Sequence, residues 1–459
     1  MKKSLLLYFL LFGIASFCQV KLNDVPLDLK KNPDFHQIAS NINPKTNEIY
    51  IFAADKEKIF GARFNNSIFF RDSLTVKKPF NFRSLIGISY LENNNPVVYF
   101  ATEDLSRVVS VEYNFATKTT PIKDLGLNLK EESIYTEFSE NGNFYFITKS
   151  KSENSLQLIK LEGNNVLKKQ LDFESISVEI NSVKKPTLTN VLDEFGLTKI
   201  ENKGFNSIFD TSQKVKYYIK NNKLFITFDH ALALTSVYEI DLNTFSIEKT
   251  VFKNSNLPIV KRSNSLLFEN NLITMSANSS AMEIQFIKYQ DKSSIKNYTI
   301  DIVHPSPFTT PFYKITGNGS PTTIKTAKKF IQNILYSDLG MSIYNFKRKY
   351  LASFGGLQYR SNSNDVFSEL VAMQNFPRGN SGDYTVQQSN IDVVFDSTFK
   401  QIEPIKQPLF IDKIAQFKSD NQNIKYSFYF PFKNFYILSY YDPVAKQIVL
   451  RKFIDGFDY

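Results

Sequence analysis

The sequence predicts an all-β chain of repeated four-stranded sheets arranged radially. Three observations carry that expectation: a recurring turn-and-strand phrase, a spacing of 47 or 48 residues between copies, and a polar-apolar hairpin after each copy. The phrase is clearest at Ser139-Glu140-Asn141-Gly142-Asn143-Phe144-Tyr145-Phe146-Ile147, a tight polar turn running into aromatic and β-branched residues. In chain order, Asn43 to Glu48 leads into Ile49-Tyr50-Ile51-Phe52, and Glu92 to Pro96 leads into Val97-Val98-Tyr99-Phe100. Asn221 to Lys223 precedes Leu224-Phe225-Ile226, Glu269 to Asn271 precedes Leu272-Ile273-Thr274-Met275, and Lys433-Asn434 precedes Phe435-Tyr436-Ile437-Leu438. Ile49 to Val97 is 48 residues, Val97 to Phe144 is 47, and Leu224 to Leu272 is 48.

The hairpins fall at Ala62 to Val76, Val109 to Asp124, Leu156 to Phe173, Val237 to Phe252, Ile284 to Ile302, Ile391 to Ile402 and Val444 to Ile454. Four short antiparallel strands at this period describe a β-propeller, which limits open sheet edges by arranging its blades around an axis. A one-dimensional β-solenoid has shorter repeats, of fewer than about 30 residues. Successive hairpin ends lie 48, 49, 79, 50, 100 and 52 residues apart. The gap of 79 holds one repeat plus an insertion at 174–204, where the run Leu188 to Phe195 between Pro186 and Gly196 predicts a short helix. The gap of 100 holds two repeats, or one repeat with an excursion at 304–336, in which Thr326 to Tyr336 suits a helical face and Phe330 to Tyr336 reads equally as a strand. Seven blades are therefore expected, with eight as the alternative, interrupted by short helix-bearing insertions.

Residues 1–18 read as a signal peptide: Lys2 and Lys3, an apolar run from Leu5 to Ile14, then Ser16-Phe17-Cys18 before Gln19. Cys18 as a lipidated residue would need a small residue before it, and Phe17 stands there. Residues 19–35, with Pro26 and Pro33, form a lead-in segment, and 36–459 the propeller. Cys18 is the only cysteine, so no disulfide supports the exported fold. A chain of this length buries a large core without staples. No later stretch has the roughly 18 to 20 apolar residues of a membrane-spanning helix, so no integral membrane segment is expected and the exported chain is expected to be soluble.

Net charge is +10 over 459 residues, with lysines scattered among acidic residues. That pattern is a solvated surface rather than a nucleic-acid stripe, and export removes nucleic acid as a partner. An envelope protein with an acidic face, or an anionic glycan, remains as the expected partner class.

The phrase Ser139-Glu140-Asn141-Gly142-Asn143-Phe144-Tyr145-Phe146 resembles the Ser-x-Asp-Gly repeat of periplasmic TolB-like propellers, with Asn141 in place of Asp. The resemblance covers this one repeat and implies architecture, without a binding residue. The bias toward Lys, Asn, Phe and Ile, with a mature start at Gln19, resembles exported proteins of Bacteroidota and implies compartment and lineage only.

Chemistry-bearing patterns are sparse. His36, His230 and His304 are far apart and form no His-Glu-x-x-His or i,i+4 pair, so no metal is expected. Gly379-Asn380-Ser381-Gly382-Asp383 imitates a nucleophile elbow but reads as a loop, and Gly317 to Ser320 is a turn without the Lys of a phosphate loop. Asp28, Asp34, Asp55, Asp104 and Asp442 make no calcium loop. No residue is assigned a catalytic, metal or cofactor-binding role, and no cofactor is expected. The expected function is a non-catalytic periplasmic interaction scaffold or accessory subunit of the cell envelope, with the insertions as contact elements. One alternative is a plug or accessory subunit of an outer-membrane translocon such as type 9 secretion. No type 9 carboxy-terminal sorting domain is expected, because repeat-like strands are read as continuing to Ile454. The other is a propeller enzyme (lactonase, lyase or glycosidase) with a dispersed acid-base site. Periplasmic residence is expected, with secretion or outer-membrane association as alternatives.

Overall fold

Six of the repeated phrases are hairpin turns, and their asparagines explain why. Asn47, Asn94, Asn141, Asn221 and Asn222 have φ between 48° and 66°, the left-handed region that Asn tolerates better than other non-glycine residues. Gly142 (φ 80°), Glu269 (φ 53°) and Lys433 (φ 53°) serve the same purpose. Each turn joins the first strand of a sheet to its second, and the apolar run after it is that second strand.

The computed structural model describes residues 20–30, 36–151, 155–171, 173, 187–317, 319–361, 384–405, 407–424 and 426–456. The signal segment 1–18, residues 174–186 of the expected insertion, Asp34, and the loop Gly379 to Asp383 lie outside them. Among the described residues there are seven sheets. Sheet 1 runs Gln37–Ile42, Ile49–Ala54, Lys58–Phe64, Phe70–Lys77; sheet 2, Phe82–Tyr90, Pro96–Thr102, Val108–Glu112, Ile122–Asp124; sheet 3, Glu132–Glu140, Asn143–Ser150, Leu156–Glu162, Asn165–Gln170. Sheet 4 comprises Val215–Lys220, Lys223–Phe228, Leu234–Asp241 and Ile247–Lys253, with Thr198–Lys199 added parallel to its first strand. Sheet 5 runs Arg262–Phe268, Asn271–Ala277, Ala281–Lys288, Ser294–Asp301.

Sheet 6 departs most from the expected four strands. Asp338–Phe346, Lys349–Ser361 and Tyr384–Phe395 form its body, while Phe312–Thr316 and Gln401–Ile402 share the outer edge of the third strand and Thr322–Ile324 lies beyond. The gap of 100 residues thus holds one sheet with an excursion. Its first turn uses Lys347 (φ 50°) and Arg348 (φ 67°), which carry no turn signature in sequence and hide the seventh copy of the phrase. The stretch Thr326 to Tyr336 is the helix Ala327–Leu335, capped by Thr326, with Phe330, Ile331 and Ile334 fully buried. Phe330 stacks on Phe312 at 4.4 Å, so this face is core and not a contact surface.

Sheet 7 joins the chain ends. Ser427–Phe432, Phe435–Asp442 and Gln447–Phe453 take Val20–Pro26 as an antiparallel outer strand. Second strands such as Ile49–Ala54 are buried on both faces, and outer strands such as Phe70–Lys77 and Asn165–Gln170 are largely exposed. That gradient is why the second strands read as unbroken apolar runs. The chain divides into two compact units, residues 1–170 with 406–459 (sheets 1, 2, 3 and 7) and residues 171–405 (sheets 4, 5 and 6).

Candidate functional site

The densest polar chemistry lies in the second unit, where a lysine interrupts an apolar strand. In Val215-Lys216-Tyr217-Tyr218-Ile219 the Lys216 side chain is 0% exposed. Its Nζ donates to Asp229 Oδ2 at 2.7 Å, Asn264 Oδ1 at 2.6 Å and the Gln213 carbonyl at 2.8 Å. Asp229, equally buried, follows the second strand of sheet 4. At the matching place Asp55 of sheet 1 accepts the backbone N–H of Glu57 and Lys58, and Asn278 of sheet 5 that of Ser280 and Ala281. Asp229 instead turns inward, accepting from the Thr235 hydroxyl at 2.5 Å and the Ser265 hydroxyl at 3.0 Å. Burial alone would raise its pKa; the Lys216 charge and the hydrogen bonds from Lys216 and Thr235 outweigh it and hold the carboxyl below its ordinary value. Burial pulls Lys216 below its ordinary value, opposed by the charge of Asp229 and the hydrogen bond to it.

Neighbouring strands are tied to this pair. The Asn264 amide donates to the carbonyls of Leu339 (2.6 Å) and Ser212 (2.9 Å), linking sheet 5 to sheet 6 and to the helix Ile208–Thr211. Gly340 permits the approach, since a Cβ there would stand 2.5 Å from the Ile208 carbonyl oxygen. Asn254, 1% exposed, donates from its backbone to the Ala233 carbonyl and from its amide to that of Leu232. Glu283 accepts from Ser255 Oγ at 2.6 Å, Asn256 N at 2.8 Å and Asn297 Nδ2 at 2.8 Å. Burial pushes Glu283 up, and those bonds bring it below its usual value. Asp301 accepts from the backbone N–H of His304 and Val303, each at 2.7 Å, and these bonds with the His304 ring bring it down to about 2.

Each of these side chains grips one end of sheets 4 and 5, where second strands turn into third and outer strands lead to the next sheet. The loop tips above them are apolar. Ile259 is 84% exposed, Val303 78% and Leu232 43%. Ile259 also has φ 50°, unusual for a β-branched residue, and its loop is held by the Asn278 amide bonded to the Pro258 carbonyl at 2.9 Å.

The histidines singled out in the sequence do not converge. His36, in the first unit, has Nε2 2.6 Å from the Lys30 carbonyl and meets Tyr426 and Tyr441 edge-on. His304 is exposed and donates from Nδ1 to Asp301. His230, beside Asp229, has both ring nitrogens buried without a hydrogen-bond partner. Burial lowers its pKa, partly opposed by Asp229. Asp104 and Asp442 bond to nearby backbone N–H groups, and Asp28 pairs with Lys446. Among the described residues no group of three His, Cys, Asp or Glu is arranged for a metal. No helix there is long and apolar enough to cross a membrane. Sequence reading missed Lys216 and Asp229; the available signal was a lone lysine within an apolar strand.

His230 makes a pH prediction. Its folded pKa lies below the unfolded value near 6.5, so the unfolded state binds more protons as pH falls, and stability is lost below about 6.5. His230→Asn is expected to flatten that limb by about one proton in urea denaturations between pH 7 and 5. An unchanged slope would refute the assignment.

No protein family matches the sequence, and no curated protein is similar to it. Among solved structures the chain is similar to the Dos1 propeller, at 10% identity over 95% of this chain and 96% of that one, TM-score 0.33. It is also similar to the polysaccharide lyase Uly1 (10%, 78% of each chain, TM-score 0.28). A third is AofleA from Arthrobotrys oligospora (8%, 74% and 83%, TM-score 0.25). No residue role passes between proteins at these values.

Proposed function

We propose that the seven sheets are the blades of a β-propeller and that the protein is a non-catalytic interaction scaffold of the cell envelope, exported to the periplasm. The observation that carries this reading is the division of labour in the second unit: Lys216, Asp229, Asn264 and Glu283 are buried and spent on internal bonds, while the loop tips they hold are apolar and exposed. A wholly buried ion pair cannot touch a substrate, whereas rigid exposed apolar tips suit a protein contact. Val20–Pro26 pairing with Gln447–Phe453 as the outer strand of sheet 7 supports the propeller reading.

The test is in-cell cross-linking of a tagged copy, with fractionation of the envelope and amino-terminal sequencing. A mature start at Gln19, periplasmic recovery and one stoichiometric protein partner are expected. Turnover of a sugar or lactone by the purified protein would overturn the reading.

A further inference from the structure

We infer that the groove at the loop end of sheets 1 and 2 binds an acidic oligosaccharide, through the carboxylate or ester-sulfate groups that its sugar rings carry. The groove has a volume of about 1260 Å³ and lies between the turn Asp55 to Lys58 and the connection Lys77 to Arg83. A space of that size takes several sugar rings, far more than a single small ion fills.

Positive charge remains there after each neighbouring acid is matched. Glu57 is ion-paired with Lys30, Glu103 with Arg83, Asp28 with Lys446 and Asp124 with Arg107. Of the described carboxylates lining the groove only Asp55 is left, and its oxygens accept the backbone N–H groups of Lys30, Glu57 and Lys58. Against its one charge stand Lys56, Lys58, Lys77 and Lys78, an excess of three.

These lysines are placed as a bound anion would require. Lys58 and Lys77 are directly opposite on neighbouring strands, an unfavourable pairing of like charges. At the matching place in sheet 2 Arg107 meets Asp124 instead. The exposed Lys77 side chain has no hydrogen bond or ion pair among the described residues. Lys78 is 8% exposed, and its Nζ has only backbone carbonyls, of Arg83 at 2.9 Å and Asp55 at 3.3 Å, with the Phe100 ring 5.6 Å away. Burial lowers its pKa, and the Asp55 charge only partly opposes this. An ammonium so desolvated gains from a further acceptor, and a concave wall of like charge concentrates its field on the anion that enters.

Phe80, 89% exposed, borders the groove and selects among anions. A chain of acidic sugars carries a charge on each ring and an apolar ring face that stacks on Phe80, and its stiff rings lose less freedom on binding than a peptide does. A bilayer would meet Phe80 and the outer lysines, but a flat array of headgroups does not reach Lys78 Nζ among the backbone carbonyls of the groove floor.

This inference goes beyond the scaffold reading and does not depend on it. Calorimetric titration of the mature protein with three hexasaccharides tests it: galacturonic acid, sulfated galactose and neutral galactose. A twelve-residue acidic peptide and phosphatidylglycerol vesicles are the further probes. One or both charged hexamers are expected to bind at least about tenfold tighter than the neutral one, and to weaken when salt rises from 50 to 300 mM; their order identifies the anionic group. Lys77→Glu and Lys78→Gln are each expected to cost about tenfold, and Phe80→Ala about fivefold, without lowering the melting temperature. Lys45→Glu, the same charge reversal at the opposite end of sheet 1, should leave binding unchanged. Hydrogen exchange should slow at residues 56–58 and 77–83 on binding. Equal affinity for the neutral hexamer, no binding of any hexamer, equal losses from Lys45→Glu and Lys77→Glu, or preference for the peptide or the vesicles would overturn the inference and leave the scaffold reading standing. Cleavage of a bound hexamer would remove the non-catalytic reading and leave the binding site in place.

Discussion

Deleting residues 20–29 is expected to leave the chain at the edge of unfolding. Val20–Pro26 pairs along the last strand, and the segment after it crosses to sheet 1: Leu27 N bonds to the Lys446 carbonyl at 2.8 Å and Lys30 N to Asp55 at 3.1 Å. Val25, Leu27 and Leu29 are buried in one core with Ile49, Ile51, Ile437 and Ile448. At roughly 1.5–3 kcal/mol for each of the three buried aliphatic side chains, their loss costs about 4.5–9 kcal/mol before any ladder bonds are counted. That is most of the 5–15 kcal/mol stability of a typical domain. Urea denaturation of the truncated protein should show a sharply lowered midpoint, and a synthetic peptide of residues 20–29 added in excess should raise it again. A midpoint unmoved by truncation would mean that the strand is an ornament on sheet 7.

The second large effect concerns Lys216 and Asp229. Asp229→Ala leaves a fully buried ammonium with only neutral acceptors, and Lys216→Ala leaves a carboxylate with hydroxyl donors alone. Removing one partner of a buried pair costs about 3–5 kcal/mol, whereas replacing both with apolar residues of similar volume is often close to neutral. Each single variant should therefore unfold at markedly lower denaturant, and Lys216→Met with Asp229→Leu should recover much of the loss. The expected coupling is large because the two share one desolvated site. Additive losses would show that the pair is not the unit that holds sheets 4 and 5.

Much of the fold was legible because its information is local. Asn94-Asn95 or Asn141-Gly142 accepts left-handed backbone wherever it occurs, so a turn and its following strand can be read without knowing what they pack against. The helix at Leu188–Phe195 could be read for the same reason, from its flanking turn residues and apolar spacing. Lys347-Arg348 shows where this stops: neighbouring strands can impose left-handed backbone on residues that do not favour it, and the sequence then carries no mark of the turn. The added edge strands Phe312–Thr316 and Thr322–Ile324 were illegible too, because an edge pairs with whatever lies beside it.

By itself, then, the amino-acid order determined the all-β character, the repeat of about 48 residues and the places where it is interrupted, since backbone preference and alternating polarity act over a few residues. Only tertiary structure decided that Val20–Pro26 would find Gln447–Phe453 more than 400 positions away, and that Lys216 would meet Asp229 and Asn264 with both charged side chains fully buried. The worth of a charge pair depends on how fully both groups are desolvated and who else surrounds them, and those conditions exist only once distant strands have packed.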